Sequence, residues 1–346
     1  MECIKALDEL ISTRVINSKN YKFVVLTPNT EITDIKLTHI ITKKVGLLSG
    51  HIWEQLELPL YTMGSLLINF CGPAPVIKKK QIVTIHDVGV FRNGKNYSRL
   101  FRGWYKFMYS TFKYMSEKII TVSKFSKQEI INIFNINEQK IEYYHLGADH
   151  FYDLEADHSI LTKNSLKKDK YILAVSSRSA NKNFNSVIKA LNLVNLMDID
   201  CVIVGGHFSK VFNYQNDKDL LSKVNVKSMG YVTDSELKAL YENAVCFIYP
   251  SLYEGFGLPP LEAMISGCPV IVSNVTSLPE VCGTAAIYCD PEEIDDIAEK
   301  INKVIRNDDL RKEMHQNGLS HSANYRWEYC AKGLFNEIQR CVVGLK

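Results

Sequence analysis

From Cys246 to Gly267 the chain reads as a strand, a loop and a helix in that order, and no other stretch constrains the fold as much. Cys246 to Tyr249, with Tyr241 and Ala244 upstream, is the short apolar run of a buried strand that empties at Pro250. Gly255 and Gly257 let the backbone pass close to a ligand and turn its N–H groups outward. Pro259 and Pro260 fit only the first turn of a helix, where their missing donors cost nothing, so a helix starts near Leu258 and ends before Gly267. Its unpaired N–H groups and its dipole face the loop and offer a seat to a phosphate. Around Gly255, Phe256, Gly257 and Leu258 stand two carboxylates. Glu262, one turn into the helix, can accept two hydrogen bonds from a ribose diol, and Glu254 can reach the hydroxyls of a hexose. Such a pair alone is common on solvated helices. The strand, the glycines and the double proline around it outline a sugar-nucleotide site.

The same alternation runs along the whole chain. Lys22 to Thr27, Ile82 to Ile85 and Lys118 to Val122 read as buried strands of a first half, with Ser123 or Ser126 capping a helix from Lys127 towards Phe134. In the second half Tyr171 to Val175, Cys201 to Val204, Lys227 to Val232, Val245 to Tyr249 and Pro269 to Val272 are strands. Helical stretches such as Phe184 to Leu196 and Asp234 to Asn243 separate them. Strands alternating with helices predict an α/β protein with two open parallel sheets, helices on both faces, and ligands at the strand ends. Residues 151–169, rich in Asp, Lys and Ser with weak periodicity, read as a linker. They divide the chain into a first domain, 1–150, a second domain, 170–322, and a final helical segment, 323–346. A length of 346 residues is enough for two such cores.

Composition excludes several classes. Hydrophobic content of 46% and charged content of 23% are those of a globular enzyme. The apolar stretch from Leu58 to Ile77 is broken by Gly64, Gly72, Pro73 and Pro75, so it is not a spanning helix, and the first thirty residues lack the order of a signal peptide. Nine scattered cysteines without a Cys-x-x-Cys pair read as reduced thiols in a cytoplasmic compartment. The net charge of +3 conceals an asymmetry: Lys and Arg exceed Asp and Glu by 7 in residues 1–150 and fall short by 4 in the remainder. The basic excess gathers from Arg92 to Lys118, interleaved with Phe101, Trp104, Tyr105, Phe107, Tyr109, Phe112 and Tyr114. That mixture suits an anionic membrane surface or a lipid-diphosphate acceptor, and equally a core helix with snorkelling lysines. The acidic remainder, without a recognisable binding module, argues against nucleic acid.

Further motifs stand in a telling order. Trp53-Glu54-Gln55 is followed by Leu58-Pro59, then come Thr84-Ile85-His86-Asp87, Thr121 to Lys127, Asn181-Lys182-Asn183, Gly230 to Leu237 and Ser277 to Glu280. With Glu254 and Glu262 they resemble the retaining family 4 glycosyltransferases, most closely the mannosyltransferase-like branch of bacterial surface-polysaccharide synthesis. The resemblance covers nearly the whole chain. It implies two Rossmann-like domains facing across a cleft, the GT-B arrangement, with the last helix, which contains Trp327, crossing back to the first domain.

The resemblance also implies roles. It places His86 beside the donor sugar, while Lys182, with Arg178, neutralises charge on the leaving diphosphate. The nucleobase lies against Gly230, Tyr231 and Val232. The donor is a nucleotide sugar, GDP-mannose before a UDP-hexose, the acceptor is a glycan or a lipid-diphosphate-linked glycan, and there is no cofactor. Ser176 stands where the family commonly has glycine, and Asn181 where it commonly has arginine. Asp198-Ile199-Asp200 has the letters of a metal motif but precedes a strand, the wrong end for a site at the carboxyl edge, so no metal ligand is expected. Met1 to Ile11 reads as the helix that normally follows a first strand and glycine loop. Without that strand and loop, near-normal donor binding with slow transfer is expected, unless Gly46 to His51 fills the place. The expected protein is a cytoplasmic hexosyltransferase, peripheral on the inner face of the plasma membrane. A donor-binding partner subunit of another transferase, and a sugar-nucleotide epimerase or hydrolase on the same fold, stand as alternatives.

Overall fold

The computed structural model describes residues 1–29, 36–92, 97–176, 180–194, 198–206 and 224–343. Two compact units emerge, Met1–Gly147 with Arg326–Lys346, and Ala148–Tyr325.

In the first unit β1 (Val24–Pro28) pairs in parallel with β2 (Ile41–Val45) as a ladder of its own. A second parallel sheet has the order β3 (Leu67–Asn69), β4 (Gln81–Thr84), β5 (Lys118–Thr121) and β6 (Ile141–Tyr143). The single first-half sheet read from the sequence is thus two. Between them, Trp53, Leu58 and Leu67 pack with Leu26 and Val45, so side chains rather than a backbone ladder join β1 and β2 to β3. The helix Glu2–Ser12 buries Cys3, Leu7, Leu10 and Ile11, a stripe at helical spacing. They share one core with Ala331, Leu334, Phe335 and Ile338 of the last helix, Trp327–Val343.

Two buried carboxylates lock this unit. Asp8 accepts from the backbone N–H groups of Thr38 at 2.6 Å, His39 at 2.7 Å and Ile40 at 2.8 Å, tying the first helix to the entry of β2. Glu337 accepts from the Tyr144 hydroxyl at 2.8 Å and Arg340 at 2.5 Å, with Lys118 at 3.6 Å, tying the last helix to β5 and to the residue after β6.

The second unit is one parallel sheet in the order β12 (Ile287–Cys289), β11 (Val270–Ser273), β10 (Cys246–Tyr249), β7 (Tyr171–Ser176), β8 (Asp200–Gly205) and β9 (Val226–Gly230). Every residue of β10 and β11 is buried, as in strands covered on both faces. Phe184, Val187, Ile188 and Leu191 of the helix Phe184–Val194 meet Ile297, Ile301 and Val304 of the helix Ile294–Ile305 over strand residues Ile172, Ile203 and Ile248. The chain runs outward from β7 through β8 to β9, and then from β10 through β11 to β12 on the other side, so the order reverses between β7 and β10.

The linker expected at 151–169 is corrected by this structure. Phe151 is buried with its ring 6.3 Å from that of Tyr241, Lys238 donates to the carbonyls of Phe151, Tyr152 and Leu154, and Ser159–Lys163 is a short helix. The polar composition misled because a few apolar side chains, Phe151, Ile160 and Leu166, and the backbone carbonyls that Lys238 reaches are enough to dock the segment. Among the described residues no helix is long and apolar enough to cross a membrane.

Asp8→Ala leaves three backbone donors without their acceptor, one of them buried. Urea unfolding should show a loss of about 3 kcal/mol, and Asp8→Asn, which keeps one carbonyl oxygen, a smaller one.

Candidate functional site

The reversal of strand order between β7 and β10 is where an open α/β sheet offers a crevice, outside the carboxyl ends of the strands. Lys182 comes from the loop after β7 and Glu254 from the loop after β10. They meet there: Lys182 Nζ donates to Glu254 Oε1 at 2.5 Å. The ammonium also donates to the Tyr249 hydroxyl and stands 4.7 Å from the centre of that ring. Both side chains of the pair are largely buried, at 18% and 14% exposed, in a place where charge is weakly screened. Burial and the Glu254 carboxylate together hold the Tyr249 hydroxyl well above its ordinary pKa, so it stays a neutral donor and acceptor.

The two loops are stitched through Asn181. Its carbonyl accepts from Leu252 N at 2.7 Å and lies 2.9 Å from Ser251 Oγ, while its amide donates to the Tyr253 carbonyl at 3.0 Å. Ser251 Oγ is 2.5 Å from Glu254 Oε1, the same oxygen that Lys182 reaches. Two further buried hydroxyls hold the loop from beneath. Ser273 at the end of β11 donates to the Ser251 carbonyl at 2.6 Å, and Ser277 lies 3.0 Å from the Glu254 carbonyl and 2.8 Å from that of Phe256. With its carbonyls turned down to these serines, the loop arrives at the helix Leu258–Ile265 through Gly257. That residue has φ +115°, and a Cβ on it would stand 2.6 Å from Leu278 Cδ2. Pro259 and Pro260 occupy the first turn, as read from the sequence, and no side chain caps it.

Glu262 lies in that helix, 14% exposed, with His150 Nε2 3.9 Å from its Oε1. Burial, followed by the nearby Asp234, pushes its carboxyl up to about 7. In the nucleotide-free protein this group is therefore poised near neutrality, and donors that favour the carboxylate would lower its pKa again. Gly230, with φ +66°, ends β9 at the same edge of the sheet, followed by Tyr231, which is 81% exposed, and by Val232.

His86 belongs to the other unit. It follows β4 at the carboxyl edge, exposed, with Nε2 donating to the Phe70 carbonyl at 2.8 Å. Neighbouring Asp87 accepts from Gly89 N at 2.7 Å and shapes the turn. Arg178 lies outside the described residues. Asp200, of the discarded metal motif, opens β8 at the amino end of the sheet, paired with Lys227 at 2.8 Å and accepting from Asn225 at 2.6 Å.

The family profile described as glycosyl transferases group 1 matches residues 158–321. O-antigen chain mannosyltransferase B of Escherichia coli is 31% identical over 272 residues, which are 75% of this chain and 70% of that protein. The chain belongs to the glycosyl transferases group 1 family. The serotype-specific mannosyltransferase WbdA of Escherichia coli is 28% identical over 269 residues, 74% of this glycosyltransferase but 33% of that longer protein. The crystal structure of WaaG, a glycosyltransferase involved in lipopolysaccharide biosynthesis, superposes with a TM-score of 0.71 over 95% of this chain and 94% of that one, at 15% identity. That likeness bears on the fold alone, which is that of the GT-B glycosyltransferases.

Sequence reasoning about this glycosyltransferase missed Tyr249, Ser251, Ser273 and His150 as parts of the site, and noted Asn181 only as a departure from the common pattern. Ser277 stood in a matched motif without a role. Spacing along the chain gives no sign of such contacts, because each joins loops from different strands.

Gly257→Ala should cost about 2 kcal/mol in urea unfolding, since it adds left-handed strain to the collision with Leu278. Gly103→Ala, where a Cβ meets nothing within 4 Å, serves as the control.

Proposed function

We propose that this glycosyltransferase moves a hexose, mannose before others, from a nucleoside diphosphate sugar to a glycan carried on a lipid diphosphate. The transfer retains anomeric configuration, uses no metal ion and forms no covalent enzyme intermediate. What supports it most is the joining of Lys182 to Glu254 at the reversal point of the sheet, beside an uncapped helix start. A cation, a carboxylate and the positive end of a helix suit a sugar diphosphate.

In this reading the diphosphate lies over the first turn at Leu258, and Lys182 shifts from Glu254 towards the phosphate oxygens as charge develops on them. Glu254 then accepts from hexose hydroxyls, Glu262 holds the ribose diol, and the base rests on Gly230, Tyr231 and Val232. His86 is assigned to the sugar by the resemblance. The bond from the anomeric carbon to the diphosphate breaks, the acceptor hydroxyl oxygen takes that carbon on the same face, and its proton passes to the departing diphosphate oxygen. GDP-mannose is the favoured donor because of the mannosyltransferase names among the relatives, with a UDP-hexose next.

The lipid-linked acceptor and a place on the cytoplasmic face of the plasma membrane are supported by the helix Arg99–Met115. One side of it, Met108, Tyr109 and Phe112, is buried in the first unit, which satisfies the core reading. On the remaining surface Leu100, Trp104, Phe107 and Tyr114 are exposed along one line, and Arg99, Lys106 and Lys113 follow a second line beside it.

Purified protein should transfer mannose from GDP-mannose to a lipid-diphosphate glycan in excess chelator, giving a product of the donor's anomeric configuration by NMR. Epimerised donor without transfer, release of free sugar, or binding without turnover would each overturn this reading.

Glu262 supplies a second check. Ribose hydroxyls donate to the carboxylate, so nucleotide affinity should rise as pH rises through about 7 and flatten above it. The free protein behaves in the opposite way, because a carboxyl raised from 4.5 to about 7 contributes stability that is lost as pH rises through about 7. At pH 8, Glu262→Gln should therefore unfold later than wild type while binding GDP at least tenfold more weakly by calorimetry.

A further inference from the structure

The helical stretch from Gly50 to Tyr61, in the first unit, buries Trp53, Leu58 and Pro59 and leaves a second apolar line on its outer side. Its polar groups face the protein. Trp53 Nε1 donates to the Val45 carbonyl at 2.9 Å, and Gln55 donates to the Ala74 carbonyl at 2.8 Å and accepts from Val76 N at 3.1 Å. Glu57 accepts from Leu47 N at 3.1 Å and Leu48 N at 3.0 Å, and Glu54 pairs with His51 at 2.9 Å. Four other aliphatic chains face solvent. Ile52, Leu56 and Leu60, four residues apart, are 59%, 60% and 66% exposed, and Met63 beyond them is 75% exposed. A π-helical turn at Trp53–Glu57, a form concentrated at functional places, interrupts the helix under this stripe. A folded monomer rarely leaves so continuous an apolar line uncovered.

The charge around the stripe says what covers it. Residues 41–80 carry five lysines and two glutamates, and both glutamates are engaged as described. Lys78 Nζ donates to the Thr62 carbonyl at 2.8 Å and Lys80 Nζ to that of Gly64 at 3.4 Å, which sets two ammonium groups at the end of the stripe on either side of Met63. Lys79 between them is exposed. Aliphatic chains ending in clustered ammonium groups match acyl chains beneath anionic headgroups. We infer that Ile52, Leu56, Leu60 and Met63 enter the surface of an anionic bilayer while Lys78, Lys79 and Lys80 meet its phosphates, a second membrane contact besides the helix Arg99–Met115. Its purpose, holding the enzyme at a lipid-linked acceptor, rests on the proposed transfer; the contact itself does not.

The test uses the full chain with vesicles of phosphatidylcholine alone and of phosphatidylcholine with phosphatidylglycerol. Amide hydrogen exchange should slow over residues 47–63 on the anionic vesicles and not on the neutral ones. The double variant Ile52→Ser/Leu60→Ser, whose side chains are exposed and carry little of the fold, should reduce partition onto anionic vesicles by about tenfold or more. Nucleotide affinity should not change. Unaltered exchange over this stretch, undiminished partition of the variant, or a wild-type dimer that the variant dissociates without lipid, would each overturn the inference. A wild-type protein protected by vesicles yet inactive with every donor would instead count against the transfer reading alone.

Discussion

The carbonyl of Asn181 is the point on which the second unit's chemistry depends. It accepts from Leu252 N and lies beside Ser251 Oγ, so the loop after β10 is fixed to the loop after β7 by main-chain and side-chain donors together. Only because those loops are joined does Lys182 reach Glu254 across neighbouring strands. An ammonium and a carboxylate withdrawn from water lose hydration that their mutual attraction must offset, and the Ser251 hydroxyl and the Tyr249 ring and hydroxyl complete their shells. In the proposed transfer the pair exchanges partners, a diphosphate taking the ammonium and sugar hydroxyls the carboxylate.

Beneath this join, buried serines do work that the glycines of the loop cannot. Gly255 and Gly257 allow the turn, but Ser273 and Ser277 decide which way its carbonyls point. The conformation needs both: a permissive backbone and donors that select one of its states. Glu262 is then carried into a largely buried position where its carboxyl titrates near neutrality, a consequence of burial that sequence spacing does not contain.

The first unit uses the reverse arrangement. Its two locks are carboxylates, Asp8 and Glu337, sunk beneath helices to gather backbone amides and a tyrosine hydroxyl. Beside its buried apolar core it also exposes apolar side chains, on Gly50–Tyr61 and on Arg99–Met115. The inward carboxylates Asp8 and Glu337 are stable there because each is met by several donors.

The sequence by itself determined the class of fold and the strand, loop and helix around Glu254 and Glu262. Strand period, prolines at a helix start and glycines in a turn are local signals, and β10 and the helix Leu258–Ile265 follow them closely. It also contained the alternation that makes all three described sheets parallel. It misjudged residues 151–169, where backbone carbonyls captured by Lys238 dock a polar segment that composition marks as a linker. It could not divide β1 and β2 from the sheet that begins at β3, because strand partners depend on how side chains such as Trp53, from the helical stretch between β2 and β3, pack among them. Nor could it join Asn181, Ser251, Ser277 and Lys182 to one loop, or His150 to Glu262. Those are contacts across strands and loops, and only tertiary packing sets distances between residues that the chain itself holds far apart.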